Sequence, residues 1–299
     1  MYRIVLRLAA LVALLFLIAG VPAWRRPGLP QPPPQGFGVA LGYGLGAQRE
    51  LDALGKVWYL DYNHTGGILG DHPRLLVVQT QDDLESVSSV AQANRGAWWQ
   101  FGNEPNDPAQ DNISASEYAR YYQRFYLTLK RIDPSARITS AGIANADWQW
   151  ADAFRQAYRS QFGRYPPIDG WNIHNYLLND CTDALDVEAF RSRILLFRAW
   201  MSRIGEENKP LFLSEYGVLY GNGCCGCPSI PAQGVIRYMQ ETSNWLSVSH
   251  TVTAWAWFAV NTGNRFNGDL FEDGSNITLF GQAYQDLVKH ASTPSTGGK

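Results

Sequence analysis

The sequence predicts an α/β fold, a (β/α)8 TIM barrel in a single domain. Three observations predict it. Eight short apolar runs recur along the chain, stretches of helical period separate most of them, and residues 36–290 run without an internal linker. That span is close to the roughly 250 residues one such barrel needs. Alternating β and α signals point to a parallel sheet. An open doubly wound sheet is the alternative, but no Gly-x-Gly-x-x-Gly turn opens a helix after an early strand.

The predicted strands are GFGVALGYG (36–44), VWYLDYN (57–63), RLLVVQT (74–80), AWWQFGNE (97–104), ARITSAGIA (136–144), DGWNIHNYL (169–177), PLFLSEYGV (210–218) and TVTAWAWFAV (251–260). After strand two, HTGGILGDHP is too short and glycine-rich for a helix, so the helical layer is expected to be incomplete there. Ser114 and Glu117 form an S-x-x-E capping box. Behind it Tyr118, Tyr121, Tyr122, Phe125, Leu129 and Ile132 recur at helical spacing. Between 187 and 204 an apolar stripe runs through Val187, Phe190, Ile194, Phe197, Met201 and Ile204. Further helices are expected at 148–162, 231–247 and 280–290.

Outside the barrel, residues 1–23 read as a secretory signal. Arg3 and Arg7 precede an apolar run, and the VPA that follows resembles a cleavage site. The apolar run is about 14 residues, short of the roughly 20 that span a bilayer; an uncleaved anchor is the alternative, since Arg25 and Arg26 follow at once. Either way the body is expected outside the cytoplasm, secreted or extracytoplasmic, with membrane contact only through this segment. Residues 24–35 form a stiff proline-rich linker, and residues 291–299 a polar, flexible tail.

The formal net charge is −2 and no basic patch speaks for a nucleic-acid partner. Most of the eleven tryptophans and 15 tyrosines are expected to pack the core, and rings beyond that need would suit stacking on sugar faces. In an exported chain the four cysteines, Cys181, Cys224, Cys225 and Cys227, are disulfide candidates with three possible pairings. Their spacing is not that of a zinc site, and neither metal nor cofactor is expected.

In a barrel, reactive groups sit at the C-terminal strand ends. There the sequence places Glu104 (strand four), His174 and Tyr176 (strand six), Glu215 (strand seven, on the face of Leu211 and Leu213) and Trp257 (strand eight). Two carboxyl groups at one mouth suit glycosidic bond cleavage, one protonating the leaving oxygen and the other attacking or activating water. Asn103, His174, Tyr176 and Trp257 are the expected substrate-binding residues: Asn103 can bind a sugar hydroxyl, His174 and Tyr176 can also bond the nucleophile, and Trp257 can floor a sugar subsite. Asp61 and Gln79 end strands two and three, where they could meet sugar or serve as polar strand ends.

FGNEP closing strand four, HNY on strand six, PLFLSEYG on strand seven and a tryptophan on strand eight resemble the clan A glycoside hydrolases. That resemblance covers 36–290 and implies a retaining (β/α)8 enzyme, with Glu104 as acid/base, Asn103 as partner of the 2-hydroxyl, Glu215 as nucleophile and Tyr176 as its support. Within the clan, NEPNDPAQDNISASEYARYY and WYLDYN are similar to glycoside hydrolase family 128, whose members include β-1,3-glucan-cleaving enzymes. Many clan A members carry an arginine at the end of strand two; Asp61, Tyr62 and Asn63 stand there in this chain. The expected function is an exported retaining glycosidase acting on a β-linked polysaccharide or oligosaccharide. The alternatives are a barrel of the envelope that binds glycan without cutting it, and an inverting enzyme with more widely spaced carboxylates.

Overall fold

The computed structural model describes residues 32–42, 48–82, 84–178, 181–220, 227–272 and 276–292. The signal or anchor, most of the proline-rich linker and the end of the tail lie outside these residues. No described helix is long and apolar enough to cross a membrane.

All eight expected strands form, each shorter than its apolar run: β1 (Gly36–Ala40), β2 (Trp58–Leu60), β3 (Leu75–Val78), β4 (Trp98–Phe101), β5 (Arg137–Thr139), β6 (Trp171–Asn175), β7 (Leu211–Tyr216) and β8 (Ala254–Phe258). All pairings among them are parallel, in the orders β2-β1-β8-β7-β6 and β3-β4-β5. Isolated parallel bridges, Tyr59 with Arg74 on one side and Thr139 with Gly170 on the other, join the two sheets edge to edge. The strands thus run as a ring of eight with two thin seams, at β2/β3 and β5/β6.

The helices follow in the expected rhythm. They are α1 (Gln48–Leu54), α2 (Glu85–Ala93), α3 (Ala115–Ile132), α4 (Trp148–Phe162), α5 (Val187–Arg203), α6 (Ala232–Ser249) and α7 (Leu279–Ser292). No helix forms between β2 and β3, as the glycine-rich spacing predicts. α3 starts where the capping box sits, with the Glu117 amide donating to the Ser114 hydroxyl at 3.2 Å. Asp147 and Asp186 cap α4 and α5 through the amides of Trp150 and Ala189. A short hairpin, β9 (Phe271–Glu272) with β10 (Asn276–Ile277), precedes α7.

Two apolar layers result. Outside the ring, Trp99, Phe101, Tyr118, Phe125, Phe154, Trp171, Tyr216 and Trp257 fill the space between strands and helices. Inside it, Trp58, Leu75, Val77, Trp98, Phe212, Ala254 and Ala256 fill the lower barrel, and Ala40, Leu60 and Phe258 continue the same cluster at the C-terminal strand ends. Gly38 makes that packing possible, because a Cβ there would lie 2.3 Å from the Trp58 indole. The polar residues of the inner face, Gln100, Asn172, His174 and Ser214, sit above the lower barrel, toward the C-terminal strand ends.

Candidate active site

Glu104 does not belong to β4 itself. Gly102 (φ 85°) and Glu104 (φ 45°) take left-handed backbone just past the strand. For a glutamate that conformation costs on the order of 1–2 kcal/mol. The turn holds it: the Glu104 amide donates to the Gly142 carbonyl at 2.9 Å, and the Asp107 amide donates to the Glu104 carbonyl at 3.0 Å. Tyr118 fixes both strand exits from α3, donating to the Phe101 carbonyl (2.7 Å) and accepting from the Ala141 amide (2.8 Å). The carboxyl is delivered to the mouth and stays largely buried.

Glu215 arrives by a different device. Strict alternation would put it with Leu211 and Leu213, and both of those face the outer helix layer. Instead β7 carries a bulge: Ile173 pairs with Leu213 and His174 with Glu215, leaving Ser214 as an extra residue. The same slip separates the Leu213–Trp255 and Tyr216–Trp257 pairs on β8. A bulge bends its strand and re-aims a side chain, and here it turns Glu215 into the barrel. The expected face of Glu215 is thus corrected.

His174 lies between the two carboxyls. Its Nδ1 is 2.8 Å from Glu104 Oε1, and its Nε2 is 3.0 Å from Ser214 Oγ and 3.4 Å from Glu215 Oε1. All three neighbours can accept a proton, so both ring nitrogens are placed to donate. Burial pushes the imidazole down, but the Glu215 and Glu104 charges outweigh it and the His174 pKa is raised above its ordinary 6.5. Because the ring is fully buried, His174 bridges the carboxyls and does not meet a sugar directly, which corrects its expected place among substrate-binding residues. Gly142 makes the room: a Cβ there would lie 2.0 Å from His174 Nε2.

Tyr176 donates to Glu215 Oε2 at 2.8 Å. Burial raises the Glu215 pKa and the Glu104 charge adds to this, while His174, Tyr176 and the Tyr62 hydroxyl pull it down. Glu215 Oε1 is buried, with His174 Nε2 at 3.4 Å as its charged neighbour. Asn103 donates its backbone amide to Asp111 (3.2 Å), and its Oδ1 is buried without a hydrogen-bond partner.

Trp257 does not reach the cleft. It is fully buried in the outer layer, 5.3 Å edge-on from Tyr216, and its indole donates to the Gly268 carbonyl at 2.9 Å. The inward residues of β8 are Ala254, Ala256 and Phe258. Phe258 therefore takes the aromatic place at the mouth, in edge contact with Tyr176 at 6.1 Å and Tyr62 at 6.5 Å.

Asp61 is also accounted for structurally. Arg74, buried just before β3, grips both its oxygens (2.8 and 2.9 Å) and the carbonyls of Thr65 and Gly66. Gln79 donates to the Tyr62 carbonyl at 3.0 Å. These bonds hold the loop that carries Tyr62 (φ 58°) beside Glu215. Among the described residues the ion-pair partner of Glu215 is His174, with Nε2 at 3.4 Å from Oε1.

Beneath the trio, Asn172 Nδ2 donates to Gln100 Oε1 (2.6 Å) and the Ser214 amide donates to Asn172 Oδ1 (3.3 Å). Sequence reading passed over Gln100, Asn172, Ser214, Phe258 and Tyr62. The first two carried a signal, being polar residues at the inward positions of otherwise apolar strands. At the rim, Cys181 and Cys227 are disulfide-bonded; Cys224 and Cys225 lie outside the described residues. Glu104, His174 and Glu215 each place one donor atom within 4.8 Å of the others, so a cation would find three ligands here. Of these atoms, His174 Nδ1 is already bonded to Glu104 Oε1 at 2.8 Å.

A family model described as glycosyl hydrolase catalytic core matches residues 73–284. No curated protein matches the sequence. Among solved structures, a family 128 (subgroup I) endo-β-1,3-glucanase from Amycolatopsis mediterranei, in complex with laminaritriose, aligns with TM-score 0.63 and 18% identity over 85% of this chain and 99% of that one. A subgroup II endo-β-1,3-glucanase from Sorangium cellulosum gives 0.63 and 20%, over 88% and 100%. A curdlan-specific exo-β-1,3-glucanase from Blastomyces gilchristii, in complex with glucose, gives 0.62 and 18%, over 83% and 97%. At these identities the likeness is one of fold. The family match itself runs from the start of β3 into the last helix, well over half of the sequence, and the chain is accordingly a member of the glycosyl hydrolase catalytic core family, a glycosidase.

Proposed function

We propose that this glycosidase cleaves a β-1,3-linked glucan with retention of configuration, using Glu215 as nucleophile and Glu104 as acid/base. The observation that carries this reading is the spacing: one oxygen of Glu104 and one of Glu215 lie within 4.8 Å of each other. Retaining enzymes hold their carboxyls about 5 Å apart, and inverting ones leave roughly 6.5–9.5 Å for a water. The β-1,3 linkage is supported by the fold neighbours, which are glucanases of that specificity.

In the first step the Glu215 carboxylate attacks the anomeric carbon while Tyr176, 2.8 Å from Oε2, orients it. The glycosidic C–O bond breaks and the leaving oxygen takes the proton of Glu104. Glu104 is left as carboxylate, still bonded to His174 at 2.8 Å, and is thereby ready to act as base. In the second step Glu104 takes a proton from water, the water oxygen bonds to the anomeric carbon, and Glu215 departs as carboxylate. The ordered contacts around both carboxyls favour turnover over binding alone.

We also propose export from the cytoplasm, on the basic and apolar N-terminal segment and the Cys181–Cys227 disulfide, which suits an oxidising compartment.

The test is incubation with a panel of β-glucans, with NMR of the first anomer released. β-1,3-Glucan should yield the β-anomer first. Glu215→Gln should abolish turnover, and Glu104→Ala should keep activity on aryl glycosides with azide rescue. Release of the α-anomer, or no product from any β-glucan, would overturn the reading.

A further inference from the structure

Gln100 is a polar side chain on the inner face of β4, two residues past Trp98, and it is fully buried. Burying an amide costs free energy unless its hydrogen bonds are made, so its partners show what it holds. Its Nε2 donates to the Gly102 carbonyl at 2.9 Å. Its Oε1 accepts from Asn172 Nδ2 at 2.6 Å and from Ser214 Oγ at 3.4 Å. The backbone settles which way these amides face. The Gly102 carbonyl can only accept, and the Ser214 N–H, 3.3 Å from Asn172 Oδ1, can only donate. Gln100 is therefore fixed at both ends, with its donor end on the turn that leads to Glu104.

That turn needs holding. Gly102 has φ 85°, and a Cβ there would lie 3.0 Å from Thr80 and 3.2 Å from Tyr118, so the position takes glycine. Glycine leaves the backbone at its freest just before the acid/base. The peptide unit joining Gly102 to Asn103 is planar and trans, so its oxygen and its N–H point opposite ways. Both are taken: Gln100 holds the oxygen, and Asp111, on the loop ahead of α3, accepts the N–H at 3.2 Å. Holding both ends fixes the plane of this unit, and with it the direction in which the chain runs on to Glu104.

Resting on the reading above, we infer that Gln100 and Asp111 are positioning residues for the acid/base. Together they clamp the Gly102–Asn103 peptide unit and so aim the Glu104 carboxyl at the leaving oxygen. Losing the clamp weakens proton transfer to the leaving group.

The test measures kcat/KM for the wild type, Gln100→Met and Asp111→Ala on a series of aryl β-laminaribiosides. The series runs from 2,4-dinitrophenyl, whose phenolate leaves without a proton, to phenyl, which needs one. A displaced acid is felt in proportion to that need. Relative to the wild type, the loss should be smallest on the dinitrophenyl substrate and grow to about tenfold or more on the phenyl one, as expected for a misplaced proton donor. Melting temperature identifies the folded variants. Asp111 is a half-buried loop residue, and Asp111→Ala decides alone if Gln100→Met does not fold. A loss equal across the series, as a smaller folded fraction would give, or no loss at all in a folded variant, would overturn the inference.

Should the wild type cleave none of these substrates, the β-1,3-glucanase reading falls, and crystal structures of the same variants decide the clamp. The Glu104 carboxyl should then leave its 2.8 Å contact with His174 Nδ1. A Glu104 that keeps this contact in either variant would reject the clamp as well.

Discussion

Replacing Tyr176 by phenylalanine removes one hydroxyl and keeps the ring that packs edge-on against Phe258 at 6.1 Å. The lost contact is the 2.8 Å hydrogen bond to Glu215 Oε2. A hydrogen bond to a charged group is worth about 1.5–3 kcal/mol. If it orients Glu215 for attack, kcat/KM should fall about tenfold to a hundredfold. The sign of the pH effect also follows. Tyr176 helps hold the Glu215 pKa down against burial, so its removal raises that pKa. Glu215 must be ionised to attack, hence the acidic limb of the kcat/KM profile should move to higher pH. Initial rates on laminarihexaose across pH, with melting temperature as the folding control, make the measurement. Unchanged kcat/KM, or an acidic limb displaced to lower pH, would refute the reasoning.

The raised pKa values of His174 and Glu215 mean that the folded site holds protons more tightly than the unfolded chain. For His174 the stability this adds is complete below its ordinary 6.5 and is lost as pH rises through its folded value. Calorimetry should therefore show the melting temperature falling above about pH 6.5, with a flatter fall in Glu215→Gln, which lacks one acid and its charge on His174; equal slopes would count against the site. Replacing Cys181 and Cys227 together by serine opens a loop of 46 residues and should reduce stability by roughly 2–4 kcal/mol in denaturant unfolding. Trp257→Ala should lower stability by about 3–5 kcal/mol, and any activity left after correcting for the folded fraction should show an unchanged KM. A raised KM there would restore Trp257 to the cleft.

All eight strands were legible because parallel strands buried on both faces read as plain apolar runs. Strand ends were overestimated, since the backbone leaves the sheet early to carry the site, as the left-handed turn at Glu104 shows. The acid pair was legible through its order and its strand-end positions. The facing of side chains was less so, for two reasons. Leu211-Phe212-Leu213 carries no polar alternation to reveal parity, and the Ser214 bulge then shifts it. On β8 the bulky tryptophans drew attention, yet the inner space is already taken by Trp58, Trp98 and Phe212, so alanines face inward along most of the strand and Phe258 only at its end. The bridging place of His174 depends on Gly142, far away in sequence, and no local pattern encodes that clearance. Likewise α1 and α2 span too few residues to show a period, and the partner of Cys181 depends on how two rim loops meet.

The seam between β5 and β6 has a stereochemical consequence. Glu104 rides on the three-stranded sheet and Glu215 on the five-stranded one, so the gap between them is the opening of a caliper. Its jaws are set by the Thr139–Gly170 bridge, the Asn172–Gln100 bond and the His174–Glu104 contact, none of which needs to touch a sugar. Widening that gap by about 2 Å would carry it from the reach of direct attack to the room a water needs. The anomer that leaves this barrel is thus written in how two sheets are pinned together, as much as in the acids they carry.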